Sequence, residues 1–158
     1  MRIREIQVED NLQIESVIKS TFIELGLPLT GTAYEDIETT RMFESYQQEK
    51  SVYFVIDQQG VVKGGGGIKL LANSNDSICE LQKMYFSKDL RGKGYGKKLL
   101  SKCLEAAQKM GYKYCYLETL SQLETALDLY KQNAFKNLDT PLGNTGHNSC
   151  QVWMLKTL

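Results

Sequence analysis

The chain has 158 residues, a length typical of one domain, and its 42% apolar and 24% charged residues are typical of a globular protein with its own core. Its 19 basic and 19 acidic residues balance, which argues against a nucleic-acid partner, because such proteins usually carry a basic excess. No apolar run approaches the length of a membrane span, and the charged amino-terminal segment has no apolar signal region, so we expect no membrane partner and a cytoplasmic location.

The amino-terminal part of the chain is predicted to form a strand followed by two helices. Alternating apolar residues predict a strand over 1–8. Apolar residues at helical spacing then predict a helix over 9–26, with Gly26 as its stop. A second, more polar helix is predicted over 34–49.

The middle of the chain is predicted to form three strands joined by short turns. These strands cover 51–57, 61–71 and 77–86. The second of them contains four consecutive glycines, Gly64–Gly67. Such a run weakens a strand and indicates a bulge or a close approach. We favour a structural cause for it, with access for a substrate as the alternative.

The remaining part alternates helices and strands. Helices are predicted over 94–111 and 123–133, and strands over 112–119, 134–138 and 149–158. The complete order is β-α-α-β-β-β-α-β-α-β-β. It predicts one α/β (α+β) domain over 1–158, with a single mixed, mostly antiparallel sheet of about seven strands flanked by about four helices.

The four cysteines are predicted to be free thiols. Cys79, Cys103, Cys115 and Cys150 are not paired at the spacing of metal ligands, and three of them lie in apolar segments. His147 is the only histidine. We therefore expect no metal.

Three glycines mark the start of the helix at 94–111. Residues 86–100 read FSKDLRGKGYGKKLL, with Gly92, Gly94 and Gly96 at alternate positions. The first turn of a helix leaves its backbone N–H groups unpaired, and glycine lets a bulky anion approach them. The pattern therefore indicates a phosphate site. It matches neither the dinucleotide-binding glycine fingerprint nor the P-loop.

The spacing of Arg91, Gly94 and Gly96 resembles the Q/R-x-x-G-x-G/A loop of the GNAT superfamily of N-acetyltransferases. Two flanking segments strengthen the resemblance, namely ELQKMYF at 80–86 and ALDLYKQNAF at 126–135. The order of predicted elements is also similar over nearly the whole chain. The resemblance implies the fold of that family and the use of acetyl-coenzyme A.

The resemblance implies a cofactor site along the third central strand and the glycine loop. The strand before the loop splays from its neighbour, so that pantetheine can pair with the main chain of Met84, Tyr85 and Phe86. Asn133 is a weaker candidate for a cofactor contact. The pyrophosphate would lie on the loop amides, and nearby basic side chains would add mobile charge. The loop residues implied are Arg91, Gly92, Lys93, Gly94, Tyr95, Gly96 and Lys97.

The resemblance also implies catalytic residues. Tyr130 would be the general acid that protonates the coenzyme A thiolate, since a phenol is protonated at neutral pH; the alternative is a tyrosine that only packs. Glu80 would be the general base, acting through water, or else a structural carboxylate. The two-residue period of a strand places Glu80 on the face of Gln82 and Met84. Glu118 and His147 are the other candidate bases.

The acceptor site would be built from the loop before the second helix and from the loop of His147. Tyr34, Asp36, Glu118 and His147 are its candidate residues. The implied reaction is direct transfer to a primary amine of a small molecule or peptide. The alternative is a non-catalytic sensor of acyl-coenzyme A on the same fold. A homodimer that pairs through the strand at 149–158 is compatible with the sequence.

Overall fold

A computed structural model describes all residues from Met1 to Leu158. It contains seven strands and four α-helices, in the order that the sequence predicts. Their bounds are β1 (Arg2–Glu5), α1 (Asn11–Glu24), α2 (Met42–Ser45), β2 (Val52–Gln58), β3 (Val61–Leu70), β4 (Ile78–Phe86), α3 (Tyr95–Lys109), β5 (Tyr114–Thr119), α4 (Glu124–Gln132), β6 (Lys136–Leu138) and β7 (Val152–Thr157).

All seven strands form one sheet in the order β1-β2-β3-β4-β5-β7-β6. Every neighbouring pair is antiparallel except β4 and β5, which run parallel. The predicted fold class is therefore confirmed. Because β7 pairs with both β5 and β6, it has no free edge over Trp153–Leu155 for the subunit pairing that the sequence suggested.

The two faces of the sheet bury two separate hydrophobic clusters. The first contains the apolar face of α3, including Leu99 and Leu100, together with Tyr130 of α4. The second contains the apolar residues of α1, such as Ile14 and Phe22. α3 and α4 are amphipathic, and each turns its apolar stripe to the sheet because that removes it from water. α1 also buries apolar residues on the sheet, although its Leu12 and Ile23 stay exposed.

The second predicted helix is much shorter than expected. In place of a helix over 34–49, the structure has a 3₁₀ turn at Ile37–Thr40 and the single-turn helix α2. Arg41 between them has φ −146° and ψ 59°, which is not helical. The buried Thr39 hydroxyl donates to the Ala33 carbonyl at 2.7 Å. Such bonds compete with a helix, and this explains why the prediction was wrong.

The four consecutive glycines of β3 make room for side chains of the neighbouring strands. A Cβ on Gly65 would lie 2.6 Å from Cε1 of Tyr53, and one on Gly67 would lie 2.6 Å from Cδ2 of the same ring. A Cβ on Gly64 would lie 2.8 Å from Cδ1 of Phe86. These contacts agree with the structural cause that we favoured.

Cys79, Cys103 and Cys115 are buried, and all four cysteines are free, as predicted. None of the helices combines the length and the apolar character needed to cross a bilayer.

Candidate active site

The sheet opens between its two parallel strands. β4 and β5 pair only from Ile78 with Tyr114 to Glu80 with Tyr116. Beyond that point β4 continues to Phe86 and β5 to Thr119 without pairing to each other. The main chain of Met84, Tyr85 and Phe86 therefore has no strand partner on the β5 side, as the resemblance implied.

A β-bulge lies in β4 beside this gap. Gln82 pairs with Gly67 and Tyr85 with Gly65, so Lys83 and Met84 together oppose one residue of β3. Lys83 has φ +50°, a left-handed conformation that is unusual for a side chain of its size. A bulge of this kind inserts one extra residue and twists the strand.

The bulge corrects one prediction about the faces of β4. Gln82 bonds to Tyr46 of the second cluster, and its amide also donates to Glu80, so these groups share a face. Met84 instead packs against the first cluster. The prediction that Glu80 and Met84 share a face was wrong, because the extra residue reverses the two-residue period.

The glycine loop ends at the first turn of α3. Gly92 and Gly94 have φ +73° and +79°, and the helix begins at Tyr95. The backbone amides of residues 92–97 donate to no acceptor in the chain. The amide of Arg91 is not part of this set, since it donates to the Lys88 carbonyl at 3.4 Å. The run of free amides creates a site for an anion, since the helix dipole adds positive charge there.

Three lysines near this helix end are exposed, namely Lys93, Lys97 and Lys98. Arg91 does not add mobile charge as expected. Its guanidinium donates to the Phe86 carbonyl at 3.0 Å and to both carboxylate oxygens of Glu24 at 3.1 and 3.2 Å. Arg91 thus fastens the glycine loop to β4 and α1.

Asn133 is also engaged within the chain. Its side-chain amide donates to the Leu129 carbonyl at 2.8 Å, at the carboxyl end of α4. The adjacent Ala134 has φ +64°. This position follows the helix, where glycine is favoured because a Cβ is strained in that conformation.

A cleft continues from the gap between β4 and β5. Its lining includes Tyr130, whose ring packs edge-to-face on Phe135 with centroids 5.8 Å apart. Tyr130 is 6% exposed, and its hydroxyl makes no hydrogen bond in the chain. Burial raises its pKa far above the usual value. The phenol is therefore protonated at neutral pH and has a proton to donate.

Glu80 lines the same cleft and is 3% exposed. Its carboxylate accepts a hydrogen bond from the side-chain amide of Gln82, and the Tyr46 hydroxyl donates to the Gln82 side-chain oxygen at 2.9 Å. Burial raises the pKa of Glu80 to about 7, although the bond from Gln82 opposes the change. A carboxylate with this pKa can accept a proton near neutral pH.

Lys83 is a buried charge that the sequence analysis missed. Its ammonium lies 2.9 Å from Asp36 and 3.5 Å from Glu38, and the side chain is 1% exposed. Lys69 contacts the same Glu38 at 2.6 Å. A lysine in the middle of a central strand was the available signal, because lysine is almost never buried without a partner.

Asp36 joins this group to His147. The His147 ring nitrogen Nε2 lies 2.8 Å from the Asp36 carboxylate. Burial would raise the pKa of Asp36, but the bonds and charges of His147 and Lys83 outweigh burial and lower that pKa to about 2. Burial would lower the pKa of His147, but Asp36 outweighs it and raises the value. The two loops predicted to form the acceptor site are thus linked.

Glu118 lies at the end of β5, on the opposite side of the cleft. Its carboxylate accepts bonds from the hydroxyls of Tyr116 at 2.7 Å and Thr145 at 2.6 Å. Potential ligand atoms of Glu118, His147 and Cys150 lie within 4.8 Å of one another.

Tyr34 and Asp36 are the predicted acceptor residues that do not line the cleft. Asp36 contacts the cleft residue His147, whereas Tyr34 lies against the second hydrophobic cluster. The Tyr34 ring packs on Phe22 with centroids 6.0 Å apart.

Comparison with known proteins identifies relatives of this chain. The model of the family described as "Acetyltransferase (GNAT) family" matches residues 19–135. The Escherichia coli protein named "Uncharacterized N-acetyltransferase YjgM" is 42% identical over 156 residues, which cover 98% of this chain and 93% of YjgM.

Solved structures share the fold. An acetyltransferase of the GNAT family from Staphylococcus aureus has a TM-score of 0.87 and 19% identity, covering 99% of this chain and 98% of that one. The Salmonella typhimurium protein yncA, solved with its cofactor acetyl-CoA, has a TM-score of 0.77 and 20% identity, covering 99% of this chain and 93% of that one.

Proposed function

Because the chain belongs to the GNAT family of acetyltransferases, we propose that it transfers an acetyl group from acetyl-coenzyme A to a primary amine of a small molecule or peptide. The observation that carries this proposal is the combination of three features. The amides at the start of α3 are free, β4 just before them has no partner on the β5 side, and the cleft beside that gap is lined by Glu80 and Tyr130. The structure of yncA with acetyl-CoA supports the same acyl donor.

In this proposal the pyrophosphate of coenzyme A binds the amides of residues 92–97. The exposed Lys93, Lys97 and Lys98 attract it by charge. Pantetheine pairs with the main chain of Met84 and Tyr85 on the β5 side, where it has no strand partner, as an added strand would. A main-chain N–H of this segment also polarises the acetyl carbonyl and stabilises the developing oxyanion.

The chemistry needs one base and one acid. Glu80 takes a proton from the ammonium form of the acceptor, directly or through water, because an ammonium ion is not a nucleophile. The free amine then attacks the acetyl carbon, so that a C–N bond forms and the C–S bond breaks. Tyr130 gives its proton to the departing thiolate. The attacking nitrogen loses its second proton as the neutral amide forms, and this proton restores the Tyr130 phenol through water. The Tyr130 hydroxyl has no hydrogen-bond partner in the chain, although the residue is largely buried, and this supports its role.

Direct attack in a ternary complex is favoured over an acetylated cysteine. Cys79 belongs to the first cluster and is fully buried. Cys150 lines the cleft, but burial raises its pKa to about 12, so its thiol is protonated at neutral pH. The nucleophile of a cysteine enzyme is the thiolate.

The charges in the cleft favour an acceptor that arrives as a cation. Glu80 and Glu118 both line the cleft. The positive charges of the buried Lys83 and of Lys69 are already balanced by Asp36 and Glu38. The carboxylates therefore outweigh the free positive charge in the region where an ammonium group would bind.

Calorimetric titration with acetyl-coenzyme A, ATP and NAD tests the first part of the proposal. We expect micromolar binding of acetyl-coenzyme A and much weaker binding of the two nucleotides. Thiol release from acetyl-coenzyme A is then measured with a panel of cationic primary amines. Equal binding of all three ligands would contradict the proposal. Binding without thiol release for any amine would favour the acyl-coenzyme A sensor.

The phosphate site is tested by Gly94→Asp, which adds a negative charge at the start of α3. Gly111→Asp is the matched control, because Gly111 follows the other end of α3, has φ +86° and, like Gly94, has open space around its Cβ position. Both variants strain the backbone. Only Gly94→Asp should abolish binding of acetyl-coenzyme A, and equal affinities of the two variants would refute the assignment.

A further inference from the structure

Tyr53 reaches the bulge of β4 from β2, across the strand that lies between them. It stands on β2 opposite Gly67 and is 1% exposed. Its ring lies where the side chains of residues 65 and 67 of β3 would otherwise be. At the far side its hydroxyl donates to the Lys83 carbonyl at 2.8 Å.

We propose that Tyr53 is a positioning residue for acetyl transfer, which holds the Lys83 bulge and thereby sets the direction of the Met84 and Tyr85 main chain in the gap. This inference rests on the proposed function, because it assumes that this main chain binds the acetyl donor. The proposal depends on the hydrogen bond from the Tyr53 hydroxyl to the Lys83 carbonyl. A bulge leaves one residue outside the regular pairing of the strands, so another contact must hold it.

The glycines of β3 support this reading. Glycine in the middle of a strand is destabilising relative to alanine, because it loses more backbone entropy on folding. A Cβ at Gly65 would lie 2.8 Å from the Tyr53 hydroxyl oxygen as well as 2.6 Å from the ring. The sequence thus accepts a weakened central strand, and the space gained at Gly65 and Gly67 is filled by Tyr53, whose side chain bonds to the main chain of the bulge.

Tyr46 packs beside Tyr53 and also bonds to β4. The rings of Tyr46 and Tyr53 pack with centroids 5.1 Å apart. The Tyr46 hydroxyl donates to Gln82, whose amide donates to Glu80. Two buried hydroxyls therefore hold the adjacent residues Gln82 and Lys83. The Tyr46 hydroxyl is connected through Gln82 to the candidate base Glu80. The Tyr53 hydroxyl is bonded to the main chain that leads into the proposed acetyl site.

The test compares Tyr53→Phe with Tyr112→Phe in the full-length protein. Tyr112 is a matched control, because it is also buried and its hydroxyl also donates to a backbone carbonyl, that of Lys50, at 2.8 Å. Both changes remove one hydroxyl and keep the ring. For Tyr53→Phe we expect kcat to fall about tenfold, with KM for acetyl-coenzyme A changed less than about twofold. Tyr112→Phe should lose about as much thermal stability as Tyr53→Phe but keep the wild-type kcat.

A second readout does not depend on catalysis. Hydrogen exchange at the amides of Met84 and Tyr85 should accelerate in Tyr53→Phe and not in Tyr112→Phe. If the wild-type protein released no thiol, the proposed function would fail, while this exchange would still report on the bulge. Equal kcat values for the two variants, or unchanged exchange at both amides, would overturn the inference. If Tyr53→Phe does not fold, 4-aminophenylalanine at position 53, which keeps a donor, should restore folding and kcat. Failure to restore kcat in a folded protein would also overturn the inference.

Discussion

Replacing Glu80 by glutamine should stabilise the protein at pH 8 while lowering its activity. Glu80 is buried and has one hydrogen bond, from the Gln82 side chain, to offset its charge. A glutamine has a side-chain oxygen that can accept the same bond and has no charge to bury. The wild-type carboxylate therefore carries a desolvation cost that the variant does not.

The size of the effect follows from the pKa of Glu80. Burial raises this pKa from 4.5 to about 7. Since one pKa unit corresponds to about 1.4 kcal/mol, ionisation of Glu80 lowers the free energy of unfolding by about 3 kcal/mol. Below pH 4.5 Glu80 is protonated in the folded and in the unfolded protein, so its ionisation does not lower the free energy of unfolding there. The cost grows as the pH rises from 4.5, where the unfolded chain ionises, and is complete above about 7.

Urea unfolding of wild type and Glu80→Gln at pH 5 and pH 8 measures this difference. The variant should be more stable than wild type by about 3 kcal/mol at pH 8 and by much less at pH 5. Glu105→Gln is the control, since Glu105 is exposed on α3, and it should change stability little at either pH. A stability difference for Glu80→Gln that is the same at both pH values would refute the reasoning.

The same ionisation should govern activity. If Glu80 is the base, kcat/KM of the wild type should rise with pH and level off above an apparent pKa of about 7. Glu80→Gln should remove this dependence as well as most of the rate. A variant with normal activity and an unchanged pH profile would leave Glu80 a structural carboxylate.

Three further substitutions test other parts of the structure. Tyr130→Phe should lower kcat about 100-fold, because the thiolate loses its acid, and should leave the affinity for acetyl-coenzyme A nearly unchanged in calorimetry; a normal kcat would remove this role. Ala134→Gly should raise the free energy of unfolding by about 0.5–1 kcal/mol, because glycine relieves the strain at φ +64°; a lower melting temperature would contradict this. Asp36→Asn should cost about 2 kcal/mol at pH 7, since it removes a partner of the buried Lys83. That cost should shrink as the pH falls from 3.8 towards about 2, where the wild-type carboxylate takes up its proton; an unfolding difference that does not depend on pH would argue against the ion pair.

Much of the fold could be predicted from local patterns. The two-residue period of the strands and the helical spacing of α1, α3 and α4 are set by which residues must face the core, and all seven strands and these three helices are where they were predicted. The glycine loop was also readable, because Gly92 and Gly94 adopt the left-handed conformation that few other residues tolerate. The strands, the three helices and the glycine loop are each determined by residues that lie close together in the sequence.

The predictions that failed depended on hydrogen bonds that the pattern of apolar residues does not reveal. The predicted helix over 34–49 did not form as such, since the Thr39 hydroxyl bonds to Ala33 and Arg41 leaves the helical conformation. The Arg91 side chain was expected to add mobile charge, but its guanidinium bonds to Glu24, a residue 67 positions away. The partner of Arg91 lies far outside any local window, and the Thr39 bond, although it spans six residues, is not part of a helical spacing pattern.

The sequence by itself determined the order of the elements, the free amides at the start of α3 and the presence of Tyr130 and Glu80. The tertiary structure decided how they face each other. Only the packed sheet shows that Lys83 forms a bulge, that this bulge reverses the faces of β4, and that Tyr53 reaches it over the glycines of β3. The physical reason is that a strand's period is a local property, whereas a bulge is fixed by hydrogen bonds from other strands and by the space that they leave.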